Sequence, residues 1–212
     1  MRFGDRVSRL FGKDARPVPR AQSREAYVID QARPDLGGNF RHGDVGCYTP
    51  KVWEYIVNRF AIRSMLDVGC GEGHAVTYFN RLGVYAHGID GLELNARRAI
   101  VPIALHDLGR GPYIMPVDFV MCVEVVEHVE EQFLDNLLTT LCNGSVILMT
   151  HAFPDQPGHH HVNCKPAEYW IEKLDARGFV YSDETKLVRK LASEEGWANH
   201  MQRSGLLFIA RD

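Results

Sequence analysis

The run Leu66-Asp67-Val68-Gly69-Cys70-Gly71-Glu72-Gly73 constrains this chain more than any other segment. Ser64 to Val68, just before it, is short, apolar and closed by glycines, as a buried parallel strand is. The residues after it carry helical spacing, so the chain must pass from strand to helix through a glycine turn. Without a Cβ, Gly69 and Gly71 can take positive φ and bring bare backbone close to a ligand lying over the strand end. The spacing is G-x-G-x-G. His74 stands where the dinucleotide fingerprint G-x-G-x-x-G needs its third glycine, which argues against a pyrophosphate site and an NAD-dependent dehydrogenase.

Helix and strand signals alternate around this turn. Pro50 opens a helix with Trp53, Ile56, Val57 and Phe60 on one face and Thr49 as its N-cap. After the strand at 64–68 come a helix at 74–82, a strand at 84–89, a helix at 91–99 and strands at 102–106 and 118–123. A helix at 130–142, a strand at 145–150, a helix at 166–177 and late strands at 178–182 and 205–210 follow. Such alternation predicts an α/β, Rossmann-like doubly wound, mostly parallel sheet with helices on both faces and an antiparallel last strand. Residues 185–204, a polar helix with Leu187, Leu191 and Trp197, break the rhythm and read as an insertion near the sheet edge, whose role is to cover the core, with Trp197 and His200 lining a substrate cleft as the alternative. At 212 residues one domain is expected, spanning 47–212. Residues 1–46 form a basic arm or linker, rich in Arg, Pro and Gly, in which Phe3, Val7, Leu10 and Phe11 mark a short amphipathic helix.

Asp67 to Gly73 match the D-x-G-x-G-x-G motif of the class I S-adenosylmethionine-dependent methyltransferases, and the chain resembles that family from about Thr49 to Asp183. The resemblance implies S-adenosylmethionine as cofactor, held around Asp67, Gly69, Cys70 and Gly71. Asp90 ends the next strand about twenty residues after the turn, where a Rossmann-like fold reads a ribose, so its carboxylate is expected to accept the hydroxyls. By resemblance, Asp107 accepts the adenine amino group and Leu108 offers its amide to the ring. Glu124, Glu127 and His128 cluster at the end of an apolar strand, as in many members that carry E-h-h-E-H-h there, and face the methionine part of the cofactor or the acceptor.

Methyl transfer from a sulfonium is an in-line displacement, so the protein mainly aligns nucleophile, methyl carbon and sulfur. A hydroxyl acceptor also needs its proton removed, and His128, His151 and His161 are the catalytic candidates. In the family the loop 151–163 borders the acceptor pocket, which makes His161, Asn163 and Trp170 candidate contacts; Trp170 equally suits the buried face of a helix. The letters E-x-x-E-H also resemble two metal-using subgroups, the ubiquinone-pathway O-methyltransferases and the small-RNA 2'-O-methyltransferases. They occur in relatives without metal too, and the metal-free arrangement is favoured, with a divalent metal as the alternative.

The favoured activity is O-methylation of a small-molecule acceptor. Methylation of an RNA or glycan end and a non-catalytic S-adenosylmethionine-binding regulatory protein remain as alternatives. A formal net charge of -3 gives a nucleic-acid partner no support by itself. Five scattered cysteines without a C-x-x-C pair read as reduced thiols, and no apolar run reaches membrane-span length, so a cytoplasmic protein is expected.

Overall fold

The computed structural model describes residues 27–211, and the helix expected around Phe3, Val7, Leu10 and Phe11 lies outside them. A two-stranded antiparallel hairpin, β1 (Tyr27–Val28) and β2 (Asn39–Phe40), comes first, followed by a 3-10 turn at Val45–Cys47 whose cap Asp44 accepts from the Gly46 amide at 2.7 Å. Helix α1 (Pro50–Phe60) buries Val52, Trp53 and Ile56, and ends where Ala61 turns left-handed at φ 52°. Thr49 stands at its N-cap position, yet its hydroxyl makes no cap bond. Glu195, from the other end of the chain, supplies the carboxylate instead and accepts from the Lys51 amide at 2.7 Å.

The main sheet has seven strands in the order β5-β4-β3-β6-β7-β9-β8. These are β3 (Ser64–Val68), β4 (Tyr85–Asp90), β5 (Ala104–Leu105), β6 (Val117–Cys122), β7 (Gly144–Met149), β8 (Phe179–Tyr181) and β9 (Leu206–Ala210). From β5 to β7 all neighbours are parallel, and β9 runs antiparallel to both β7 and β8. The expected architecture is therefore the observed one, although the strand expected at 102–106 shrinks to two residues. Asp118 pins the central register: its Oδ2 accepts from the Arg63 and Ser64 amides at 2.8 and 2.9 Å, and its own amide donates to Ser64 Oγ at 3.0 Å.

Strand periodicity divides the core into two layers. Along β6, Phe119 and Met121 join Trp53 and Phe79 on one face, while Val120 and Cys122 join Leu137, Leu141 and Trp170 on the other. The first layer is closed by α1 and α2 (His74–Arg81), the second by α4 (Leu134–Leu141) and α5 (Ala167–Asp175). Short α3 (Glu93–Arg98) follows β4. Trp53 and Trp170 are among the largest fully buried side chains, and truncating either to alanine costs about 3–5 kcal/mol.

Two segments differ in detail from the sequence reading. The helix expected at 130–142 begins as a 3-10 turn over Glu131–Phe133 before α4. The insertion is two helices, α6 (Thr185–Ser193) and α7 (Asn199–Ser204), with Gly196 between them at φ 80°. Its buried face is Val188, Ala192 and Met201 rather than Leu187, which is 40% exposed. Trp197 donates Nε1–H to the Tyr48 carbonyl at 3.0 Å, fastening the insertion to the start of α1. Among the described residues no helix is long and apolar enough to cross a membrane.

Candidate active site

Strand order reverses between β3 and β6, and in open parallel sheets ligands lie outside the carboxyl ends of the strands at such a point. A cavity of about 860 Å³ opens there, lined by the glycine turn, the ends of β4 and β6 and the segment 33–44. Gly69, Gly71 and Gly73 have φ of 70°, 56° and 81°. A Cβ on Gly69 would collide with Val125, and one on Gly73 would come within 2.7 Å of Val101. The turn's amides are engaged within the protein: those of Gly69 and Cys70 donate to the Ile89 carbonyl at 2.9 and 3.0 Å, and that of Gly71 to Asp90 Oδ2 at 2.8 Å. What the glycines supply is close approach rather than free donors.

Asp90 is the hub of this edge. Its Oδ1 accepts from the Leu92 amide at 2.8 Å and from Asn95 Nδ2 at 3.0 Å, so Oδ2, with one partner, keeps room for another donor. Burial raises its pKa to about 6 against the pull of those hydrogen bonds. Asp67, wholly inside, is raised further, to about 8, by burial and then by the charge of Asp90. Cys70 and Leu108 line the cavity beside them. Asp107 also lines it, but its Oδ1 accepts from the Gly109 amide at 2.8 Å and its Oδ2 pairs with Arg33 at 2.9 Å, so both oxygens have protein partners.

Arg33 belongs to a strap that the sequence reading assigned to the arm. The strap reaches two loops and helix α3 at this edge of the cavity: Arg33 meets Asp107, Asn39 Nδ2 donates to Asn95 Oδ1 at 2.9 Å, and the His42 amide donates to Glu72 Oε2 at 3.0 Å. The signal was the pair Gly37-Gly38. A Cβ on Gly37 would lie 2.8 Å from the His128 ring, and one on Gly38 would collide with Tyr27.

The far end of the cavity is built from side chains. Glu124 sits at φ 55°, uncommon for a residue with a Cβ, and Thr150 holds it there: the Glu124 amide donates to Thr150 Oγ1 at 2.8 Å, and that hydroxyl donates to Glu124 Oε1 at 2.9 Å. His200 of α7 lies 2.9 Å from Glu124 Oε2 through Nδ1 and 3.2 Å from Asp44 Oδ2 through Nε2. Burial works against its charge, but the two carboxylates raise its pKa to about 10. They in turn are held below the usual carboxylate range by His200, which outweighs their own burial.

Glu127 is fully buried, and neither carboxyl oxygen has a partner. Burial and the charge of Glu124 raise it to about 8. Its carboxyl lies within 4.8 Å of donor nitrogens of His128 and His161, a set able to hold a cation. Burial, then His161, lowers His128 to about 4, so its ring is neutral. His161 is oriented by a contact from Nδ1 to the Gln156 carbonyl at 3.0 Å, and its ring stands 5.0 Å from that of His128.

Of the proposed catalytic histidines, the structure brings His128 and His161 together at the cavity; His151 is buried away from it, behind Glu124 and His200. Asn163 and Trp170 also lie away from it, Asn163 donating to the Val129 carbonyl at 3.1 Å and Trp170 filling the core. His200 and Asp44 were missed as a pair, since no local pattern joins them.

Residues 3–209 match a family model described as a methyltransferase domain. The chain is 31% identical over 133 residues, 52% of its length, to the ubiquinone biosynthesis O-methyltransferase of Rickettsia canadensis (strain McKiel), covering 56% of that protein. It is 31% identical over 117 residues, 46% of its length, to the protein of the same name from Rickettsia typhi (strain ATCC VR-144 / Wilmington), covering 47% of it. The chain thus spans about half the length of these curated relatives. Among solved structures, the magnesium protoporphyrin IX methyltransferase from Synechocystis PCC 6803 superposes with a TM-score of 0.53 at 16% identity, over 76% of each chain, and shares the fold.

Proposed function

The chain belongs to the methyltransferase-domain family, and from that premise we propose that it binds S-adenosylmethionine in this cavity and transfers the methyl group to a hydroxyl of a small-molecule acceptor. The observation that carries the reading is the pair of buried carboxyls, Asp67 and Asp90, at the ends of adjacent parallel strands beside the positive-φ glycine turn. The donor set fits the cofactor. Oδ2 of Asp90 has capacity for a ribose hydroxyl, the carboxyls favour a cation, and about 860 Å³ lies within the range of small-ligand clefts.

When bound, the cofactor supplies an electrophilic methyl group on a sulfonium. The chain then has to bind, align and exclude water. The glycine turn lets the backbone approach closely, and Arg33, Leu36 and Gly37 of the strap wall the cavity from outside. Since these strap residues complete the cavity, we place the start of the working unit before residue 47. At the acceptor end, neutral His128 can take the hydroxyl proton. The O-methyltransferase names of the curated relatives support oxygen as the acceptor atom.

The orphaned carboxyl of Glu127 favours a second scheme for the proton, in which Glu127, His128 and His161 hold a divalent cation that acidifies the hydroxyl. Calorimetry with S-adenosylhomocysteine, followed by an acceptor panel read by its release, tests the main reading; no binding at all overturns it. With an acceptor in hand, EDTA treatment separates the schemes. Loss of turnover restored by Mg²⁺ or Mn²⁺ assigns the proton step to a cation, and unchanged turnover assigns it to His128.

A further inference from the structure

We infer that Asp44, Cys47 and His200 form a binding site for a zinc-class divalent cation at the acceptor end of the cavity, separate from the Glu127–His128–His161 cluster. The inference does not depend on methyl transfer. Three donor atoms of different chemistry, a carboxylate oxygen, a thiol sulfur and an imidazole nitrogen, fall within 4.8 Å of one another. They come from two distant parts of the chain. Asp44 caps the 3-10 turn and Cys47 is its last residue, the hydrogen bond from the Gly46 amide aims the carboxylate, and His200 comes from α7.

Without a metal the three groups are joined by an ion pair and a thiol hydrogen bond, and the same spacing is compatible with a metal's ligand shell. His200 Nε2 stands 3.2 Å from Asp44 Oδ2, and Cys47 Sγ stands 3.6 Å from the same oxygen. Zinc bonds of about 2.0–2.3 Å at tetrahedral angles place neighbouring oxygen, nitrogen and sulfur ligands about 3.3–3.7 Å apart. The contact to Asp44 is an ion pair at the long end of the hydrogen-bond range, whereas charge-assisted bonds are normally about 2.7–2.9 Å. His200 makes one of that length on its other side, 2.9 Å to Glu124. That second contact is an independent sign. A metal-binding histidine almost always donates its other ring N–H to a carboxylate, a backbone carbonyl or water, which fixes the tautomer and aims the free nitrogen at the ion. Glu124, locked by Thr150, occupies that place.

Cation binding displaces the proton on His200 Nε2 and the thiol proton of Cys47, both of which pass to solvent. A dication replaces two protons, and the net charge of the site is unchanged. Three protein ligands leave a fourth position, and all three residues line the cavity, so that position opens toward an acceptor. One sulfur, one nitrogen and one oxygen suit zinc over magnesium or calcium.

The test is titration of the purified, EDTA-treated protein with Co²⁺, followed by displacement with Zn²⁺. A thiolate–cobalt charge-transfer band saturating at one equivalent is expected. It should be lost in Cys47→Ser, retained in Cys70→Ser and abolished by zinc. The Glu127–His128–His161 cluster holds no sulfur and yields no such band. Because Cys47→Ser could impair folding, zinc competition against a chromophoric chelator is also run on Glu124→Gln, where a loss of about 10- to 100-fold in affinity is expected. A wild-type protein without the band, a band surviving in folded Cys47→Ser, or equal zinc affinity in wild type and Glu124→Gln overturns the site.

Discussion

The two ends of the cavity are made by different means. At the cofactor edge, conformation is carried by backbone: three glycines at positive φ, short loops after β3, β4 and β5, and a carboxylate that ties neighbouring loops together through their amides. At the acceptor edge it is carried by side chains from stretches far apart in the chain. Glu124 holds a left-handed backbone without being glycine, and His200, from near the other end of the sequence, bridges it to Asp44. Backbone shape tolerates little substitution and side-chain constellations can be dismantled singly, so the two edges should fail differently.

The sharpest contrast comes from Gly71→Val. A β-branched residue at φ 56°, with the Asn39 side chain 3.3 Å from its Cβ, strains the turn and fills cofactor space. S-adenosylhomocysteine binding should fall below detection by calorimetry while circular dichroism stays native. Normal binding by a folded variant would break the backbone half of the comparison.

His128→Ala should do the reverse. Affinity for S-adenosylhomocysteine is expected to stay within about twofold, while turnover falls by about 10² to 10⁴, the usual contribution of a positioned acid or base. Single-turnover kinetics with an identified acceptor would check it, and a large loss of cofactor affinity would erase the division between the edges.

Smaller effects sharpen the picture. Asp90→Ala removes a charge-assisted partner worth about 1.5–3 kcal/mol, so cofactor affinity should drop by about 10- to 150-fold. It also strips the Gly71 and Leu92 amides of their acceptor, so the melting temperature should fall as well. Arg33→Ala breaks a pair in which the arginine side chain is 34% exposed. A pair so exposed is worth about 0.2–1 kcal/mol, and stopped-flow displacement should show cofactor release only about 1.4- to fivefold faster.

The last comparison concerns pH and stability rather than binding. Asp67, Glu127 and His200 have folded pKa values of about 8, about 8 and about 10, all above their unfolded values. Each binds its proton more tightly when folded, so its contribution is whole at low pH and is lost as pH rises through the folded value. His128, lowered to about 4, acts oppositely, but only between about 4 and its ordinary value near 6.5. Between pH 6.5 and 8.5 these shifts share one sign, and the ligand-free protein should melt at progressively lower temperature. Bound cofactor, a cation that favours the ionised acids, should flatten the decline; an equal slope with and without it would sever the acids from the cofactor.

Much of the glycine-turn edge was legible in the residues alone, because its physics is local. A turn that needs positive φ demands glycine wherever it occurs, a parallel strand buried on both faces demands an apolar run, and Asp90 follows at the distance one helix and one strand require. Asp118 pinning the register, Glu195 capping α1 in place of Thr49 and the strap folding back over the cavity could not be read that way. Nor could the separation of His151 from His161, which share a loop but not a cavity. These features depend on which distant segments the sheet order brings together. An ion triad such as Asp44–His200–Glu124 leaves no periodicity and no spacing in the chain, because its members are neighbours only after β6, the 3-10 turn and α7 have packed against one another.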